Sequence, residues 1–239
     1  MKHRKFFVLT FSVVSRVVMV SMFVLGFATA ASAQPTEIKT CQNITSSGSY
    51  ILTDNLTASD TCLNLGGTIL NVTIDLNGFT IDAPVAITTG DNMYYVAVRN
   101  GIAHGRLALY GVSRVENMIV VDYGNEGAGI TTMGGIVTGN TVIGFSVGIV
   151  SSGLITGNTV NQNNSEPYGW GILAQPGSTV SNNVAVGNHV GFVVDCPSHV
   201  TGNTGYNNFE QDLLLRGQEF CKNKNNLQVA NTFEKIDLD

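Results

Sequence analysis

The chain has 239 residues, of which 44% are hydrophobic and only 12% are charged, and its net charge is −5. This apolar content excludes an intrinsically disordered chain. The sequence holds 27 Gly and 24 Asn. Both residue types form helices poorly, so a helical bundle, a coiled coil and an ordinary α/β enzyme are disfavoured. The composition predicts many short strands joined by tight turns.

Residues 1–33 have the pattern of a secretory signal peptide. Basic residues at positions 2, 4 and 5 precede the apolar run Val17–Phe27, and Ala31–Ala33 forms a small-residue cleavage site. The apolar run is too short to span a bilayer comfortably, which disfavours an uncleaved membrane anchor. The sequence therefore predicts a secreted or periplasmic protein that starts at Gln34 and has no membrane attachment after cleavage.

Residues 34–239 form an acidic segment. They keep eight basic and all 17 acidic residues, which gives them a net charge of −9. Because nucleic-acid binding needs clustered basic residues, no nucleic-acid partner is predicted. The histidines of this segment, His104, His189 and His199, are scattered along the sequence. Metal ligands must converge, so neither a metal nor another cofactor is predicted.

An Asn recurs at intervals of 17 to 25 residues between short runs of strand-forming residues. A period near twenty without helix signals is typical of a β-solenoid. Stacked Asn side chains can form hydrogen bonds along the axis of such a fold and satisfy buried polar groups. The predicted structural ladder consists of Asn77, Asn100, Asn117, Asn140, Asn158, Asn183 and Asn203.

The segment Asn71–Ile81, followed by repeated Gly-Asn-Thr-Val and Gly-Ile units, resembles the right-handed parallel β-helix proteins of the pectin-lyase-like superfamily. The resemblance covers roughly residues 40–230. It implies an all-β fold, a single right-handed parallel β-helix of about eight coils. Members include polysaccharide lyases, glycoside hydrolases, epimerases and adhesin parts. The resemblance therefore implies a polysaccharide or glycan partner without specifying a reaction.

Within such a helix, residues 34–66 are predicted to form an N-terminal cap, residues 67–209 the coils, and residues 210–239 a C-terminal cap or tail. Four cysteines in an exported chain indicate disulfides. Because coils rise by about 4.8 Å each, the two ends lie far beyond the 7 Å or so that a disulfide allows between Cα atoms. The solenoid therefore predicts the pairs Cys41–Cys62 and Cys196–Cys221, one at each end.

Two coils carry extra residues at the turn before the Gly-Ile strand, in the segments Asp122–Gly127 and Gln162–Tyr168. Insertions in a solenoid lie on one face, often the binding face. In the enzymes that the chain resembles, this turn borders the substrate groove. The candidate catalytic residues are Asp122, Glu126 and Glu166, and the candidate substrate-binding residues are Tyr123, Tyr168 and Trp170.

The active-site motifs of the superfamily's polygalacturonase-like, pectate-lyase-like and alginate-epimerase-like members are missing from the sequence. This favours carbohydrate binding through the loop-bearing face over cleavage. A polysaccharide hydrolase or lyase that uses the loop carboxylates is the first alternative. A non-catalytic structural or adhesive protein is the second.

The Gly-Ile strand is apolar at neighbouring positions, although alternate residues of a strand point to opposite sides. One apolar column must therefore face outward, as in a sheet that is buried on both sides. We expect the chain's own loops or tail, or a partner such as a second copy, to cover it. The predicted outward column consists of Thr131, Val150, Leu173, Val193 and Leu214.

Overall fold

The described residues form strands joined by tight corners, and none of them lies in a helix. The computed structural model describes residues 34–67, 71–90, 93–122, 127–163, 169–217 and 231–238, except for the side chains of residues 93, 94 and 238. The predicted signal peptide therefore lies outside the described residues. The strand pairings are parallel, and the strands form the predicted β-solenoid of about eight turns.

Most turns of the solenoid contribute a strand to each of three faces, and each strand pairs with the equivalent strand one turn away. The first face contains β1 (Thr36–Ile38), β3 (Gly48–Leu52), β6 (Asn71–Asp75), β15 (Thr179–Ser181) and β18 (His199–Thr201). The second face contains β4 (Leu56–Thr57), β11 (Thr141–Ile143), β13 (Thr159–Asn161), β16 (Val184–Val186) and β19 (Thr204–Tyr206). The third face contains β2 (Gln42–Ile44), β5 (Thr61–Leu65), β14 (Trp170–Ala174), β17 (Val190–Asp195), β20 (Gln211–Arg216) and β21 (Ile236–Leu238). Long strands bend around corners and belong to more than one face: β7 (Thr80–Thr89), β8 (Met93–Leu109), β9 (Gly111–Val121), β10 (Ala128–Thr138) and β12 (Val147–Thr156).

Inward side chains stack in columns to form the hydrophobic core. Strands of successive turns lie about 4.8 Å apart, so equivalent side chains pack directly against one another. These columns are fully buried, which removes their apolar surface from water and provides the main stabilisation of the fold. The first-face column contains Ile74, Val98, Val115, Val137, Ile155 and Val180, and the third-face column contains Leu63, Ile87, Leu107, Ile130, Ile149, Ile172, Phe192 and Leu213.

A ladder of buried Asn side chains lines the corner between the first and second faces. The Nδ2 group of Asn158 donates to the Val137 carbonyl and to Asn183 Oδ1, both at 2.9 Å. Its Oδ1 accepts from the backbone N–H of Asn140 at 3.0 Å. These bonds satisfy corner groups that water cannot reach. The ladder runs through Asn140, Asn158, Asn183 and Asn203 as predicted, and it ends at Asn231, which was not predicted.

The ladder prediction was wrong for Asn77, Asn100 and Asn117. Their φ angles are 51°, 61° and 55°, so they occupy the left-handed position of the corner, one residue before the ladder position. Asn117 lies beside Gly139, which has the same role one turn later. In this first part of the solenoid the ladder position holds residues such as the fully buried Met118.

A second Asn ladder, which the sequence analysis missed, lines the corner between the second and third faces. Asn163 Nδ2 donates to Asn188 Oδ1 at 2.9 Å, and Asn188 Nδ2 donates to Asn208 Oδ1 at 3.1 Å. The ladder ends where Asn208 Nδ2 donates to the buried carboxylate of Asp212 at 2.7 Å. The same carboxylate accepts from the backbone N–H groups of Glu234 and Lys235, at 2.7 and 3.0 Å. Asp212 thus ties the second ladder to the segment that leads into β21.

The disulfide Cys41–Cys62 is present, with its Cα atoms 4.5 Å apart, as predicted. Cys196 is also disulfide-bonded, while Cys221, its predicted partner, lies outside the described residues. Disulfides persist in oxidising compartments, so these bonds indicate an extracellular type of environment. Among the described residues we find no helix with the length and apolarity needed to cross a membrane.

Candidate functional site

The two inserted loops lead into strands of the third face that lie two turns apart. The strands that follow them, β10 and β14, both pair with β12, which places them about 10 Å from one another. Of the predicted site residues, the structure describes Asp122, at the end of β9, and Trp170, the first residue of β14. Tyr123, Glu126, Glu166 and Tyr168 lie outside the described residues, so their roles stay predictions.

The predicted apolar column faces outward on the third face. Its members align one turn apart, from Thr131 and Val150 through Leu173 to Val193 and Leu214. Their neighbours along each strand point into the core. Most of the column is half-buried, whereas Val193 is 0% exposed. The chain itself therefore covers part of this apolar surface.

Trp170 and Arg216 contact one another across this part of the column. The Arg216 guanidinium carbon lies 5.3 Å from the centre of the Trp170 ring. Asp195 holds this guanidinium in a two-pronged ion pair with distances of 2.7 and 2.9 Å. Trp170 and Arg216 start from outward columns on opposite sides of Leu173 and Val193. Their stack bridges the column and fixes the orientation of the indole ring.

Replacing Arg216 with Ala should expose the indole ring of Trp170 to water. We expect a red shift of the tryptophan emission and stronger quenching by acrylamide, with a loss of about 1 kcal/mol of stability. Because the chain has a single Trp, the signal reports on this position alone. The control is Arg114→Ala, which removes a comparable ion pair to Glu116 on the first face. Equal emission spectra for both variants would contradict the stack.

An exposed aromatic ring lies at the corner that leads into β20, the strand that carries Arg216. Phe209 is 78% exposed. One face of its ring stacks on the imidazole of His189, with ring centres 5.5 Å apart and an angle of 21° between the planes. His189 Nε2 lies 3.0 Å from Glu210 Oε2. The other face of the Phe209 ring is thus left available on a rigid support.

His189 connects this cluster to Trp170. Its backbone N–H donates to the Gly169 carbonyl at 2.8 Å, and the residues that follow each of the two, Val190 and Trp170, are register partners on the third face. We refer to Trp170, His189, Phe209 and Glu210 as the aromatic platform. Sequence reasoning missed three of its members. The spacing of His189 and Glu210, one solenoid period apart, was the available signal.

No family model, curated protein or solved structure matches this chain. The fold of the chain and the chemistry of its third face are therefore the basis for inferring its function.

Proposed function

We propose that the protein binds polysaccharide through the third face, with the aromatic platform as its principal contact. The observation that carries this proposal is the solvent-exposed Phe209 ring, which stacks on the imidazole of His189. Sugar rings present a face of C–H groups that packs on aromatic rings, surrounded by hydroxyl groups that need polar partners. The platform supplies an aromatic surface together with the carboxylate of Glu210, the usual combination of apolar contact and a few placed polar groups.

A rigid support for the ring favours binding. A free Phe side chain would lose conformational entropy when it stacks on a ligand, whereas stacking on His189 already restricts the Phe209 ring. We infer that the Phe209 ring stacked on His189 serves to bind a ligand.

We further propose that the protein is exported and belongs to the pectin-lyase-like group of β-helix proteins. Export is supported by the signal-peptide pattern of residues 1–33 and by the Cys41–Cys62 disulfide. Membership is supported by the parallel solenoid, the buried Asn ladder and the loop-bearing third face.

Replacing Phe209 with Ala should weaken retention on a bound polysaccharide about tenfold, which corresponds to about 1.4 kcal/mol. The measurement is a screen of the full chain on plant, algal and bacterial polysaccharides by affinity electrophoresis, combined with assays for released reducing ends and unsaturated products. Emission from Trp170 provides an independent titration signal within the same platform. Tyr95→Ala, which removes another exposed aromatic side chain from the first face, is the matched control.

Three outcomes separate the competing functions. Retention that Phe209→Ala weakens and Tyr95→Ala preserves supports the proposal. Release of sugar products would instead establish a hydrolase or lyase. If no polymer in the panel retains the protein, or if both variants behave alike, carbohydrate binding at the platform is wrong.

A further inference from the structure

A polar groove of about 450 Å³ lies at the opposite end of the third face. The disulfide Cys41–Cys62 forms part of its lining, and Asn43, Asn64 and Asp60 line it with polar groups. We call it the disulfide groove. Asn43 and Asn64 are register partners on β2 and β5, so their side chains emerge one turn apart on the outer surface.

The two amide side chains of the groove present a matched donor and acceptor. Asn64 Nδ2 donates to Asn43 Oδ1 at 3.2 Å. This bond orients both amides and leaves the Nδ2 group of Asn43 and the Oδ1 atom of Asn64 for a ligand. If both amides were rotated by 180°, the bond would reverse, and one donor and one acceptor would again remain. With either orientation of the two amides, the groove therefore offers a ligand one donor and one acceptor.

We propose that the disulfide groove binds a neutral sugar residue. Each sugar hydroxyl is both a donor and an acceptor, so two adjacent hydroxyls complement the Asn43 and Asn64 amides. The carboxylate of Asp60, which also lines the groove, can accept a charge-assisted hydrogen bond from a third hydroxyl. The half-buried Cys41 contributes to the floor of the groove beneath these polar groups. Because Asp60 supplies a negative charge, a uronic acid is repelled and a neutral sugar is favoured.

This site is separate from the aromatic platform. The outward column that contains Asn64 reaches Leu173, in the same strand as Trp170, after five turns, a distance of about 24 Å. A disaccharide is too short to contact both places, whereas a polysaccharide along the third face reaches both. Sugar binding in the disulfide groove can therefore be tested independently of binding at the aromatic platform.

The test is a titration of the nitrogen-15-labelled protein with cellobiose, chitobiose and digalacturonate, observed through the side-chain amide resonances of Asn43 and Asn64. We expect saturable shifts with at least one neutral disaccharide, and binding of digalacturonate at least tenfold weaker. Replacing both residues with Leu should abolish the backbone shifts of the groove. Asp60→Asn removes the negative charge, so it should reduce the difference in affinity between the neutral disaccharides and digalacturonate. Asn71→Leu, which replaces an exposed Asn of the first face, is the matched control.

The proposal is overturned if neither neutral disaccharide moves these resonances at tens of millimolar, or if the double Leu variant keeps the shifts while its spectrum elsewhere remains native. Digalacturonate binding as tight as that of the neutral sugars would overturn the role of Asp60 and the assignment of a neutral ligand. Phe209→Ala should leave the groove shifts unchanged. Groove shifts without platform binding would refute only the proposed function, and platform binding without groove shifts would refute only this inference.

Discussion

Replacing Asn158 with Leu should lower the free energy of unfolding by about 3 to 5 kcal/mol. The Leu side chain has nearly the same size but leaves the Asn140 N–H and the Val137 carbonyl without the partners they have now. Each buried polar group without a partner costs about 1 to 3 kcal/mol. The variant also breaks the link to Asn183 in the next turn. Urea unfolding followed by far-ultraviolet circular dichroism measures the loss.

The control for this experiment is Asn117→Gly. Asn117 is exposed and has a φ of 55°, a conformation that Gly adopts without steric cost. We expect a change of less than about 0.5 kcal/mol, as is usual for surface substitutions. The prediction fails if Asn117→Gly costs as much as Asn158→Leu, because both Asn residues would then have the same structural role.

The period of the Asn repeat identified the fold, but the order of residues in each corner determines which Asn is buried. In Gly139-Asn140 and Gly157-Asn158, the Gly takes the left-handed angle and the Asn points into the core. In Asn77-Gly78 and Asn100-Gly101 the order is reversed, and the Asn takes the left-handed angle instead. Averaging the intervals hides this one-residue shift, although the dipeptides themselves show it.

The platform was harder to predict because its members come together only through the register of successive turns. His189 and Glu210 lie 21 positions apart, and Trp170 lies 19 positions before His189. Composition and strand periodicity predict which residues face outward. They identified the outward column through Leu173 and Val193 correctly. They do not show that Arg216 reaches across this column to Trp170, since that contact depends on side-chain rotamers.

Replacing Gly105 with Ala should prevent folding or cost at least about 3 kcal/mol. Gly105 lies at the corner of β8 where the strand passes from the second face to the third, and its φ is 131°. A side chain is strained at this angle. An added Cβ would also collide with the backbone carbonyl oxygen of Ala83 in the neighbouring turn. The Ala83 carbonyl is main chain of β7 between Asp82 and Val85, which both pair with β8, so it cannot move without disturbing the pairing of β7 and β8.

The matched control separates backbone strain from this collision. Gly177 also has a positive φ, 83°, but an added Cβ would meet nothing within 4 Å. Gly177→Ala should therefore cost only about 1 to 2 kcal/mol, the usual penalty of the left-handed conformation. Soluble yield, circular dichroism and urea unfolding distinguish the two variants even if Gly105→Ala does not fold. If Gly105→Ala and Gly177→Ala lost the same free energy of unfolding, backbone contact would not be what fixes the distance between turns at the Gly105 corner. Because this corner begins the third-face segment of β8, the distance between turns here also determines the shape of the outer surface between the disulfide groove and the aromatic platform.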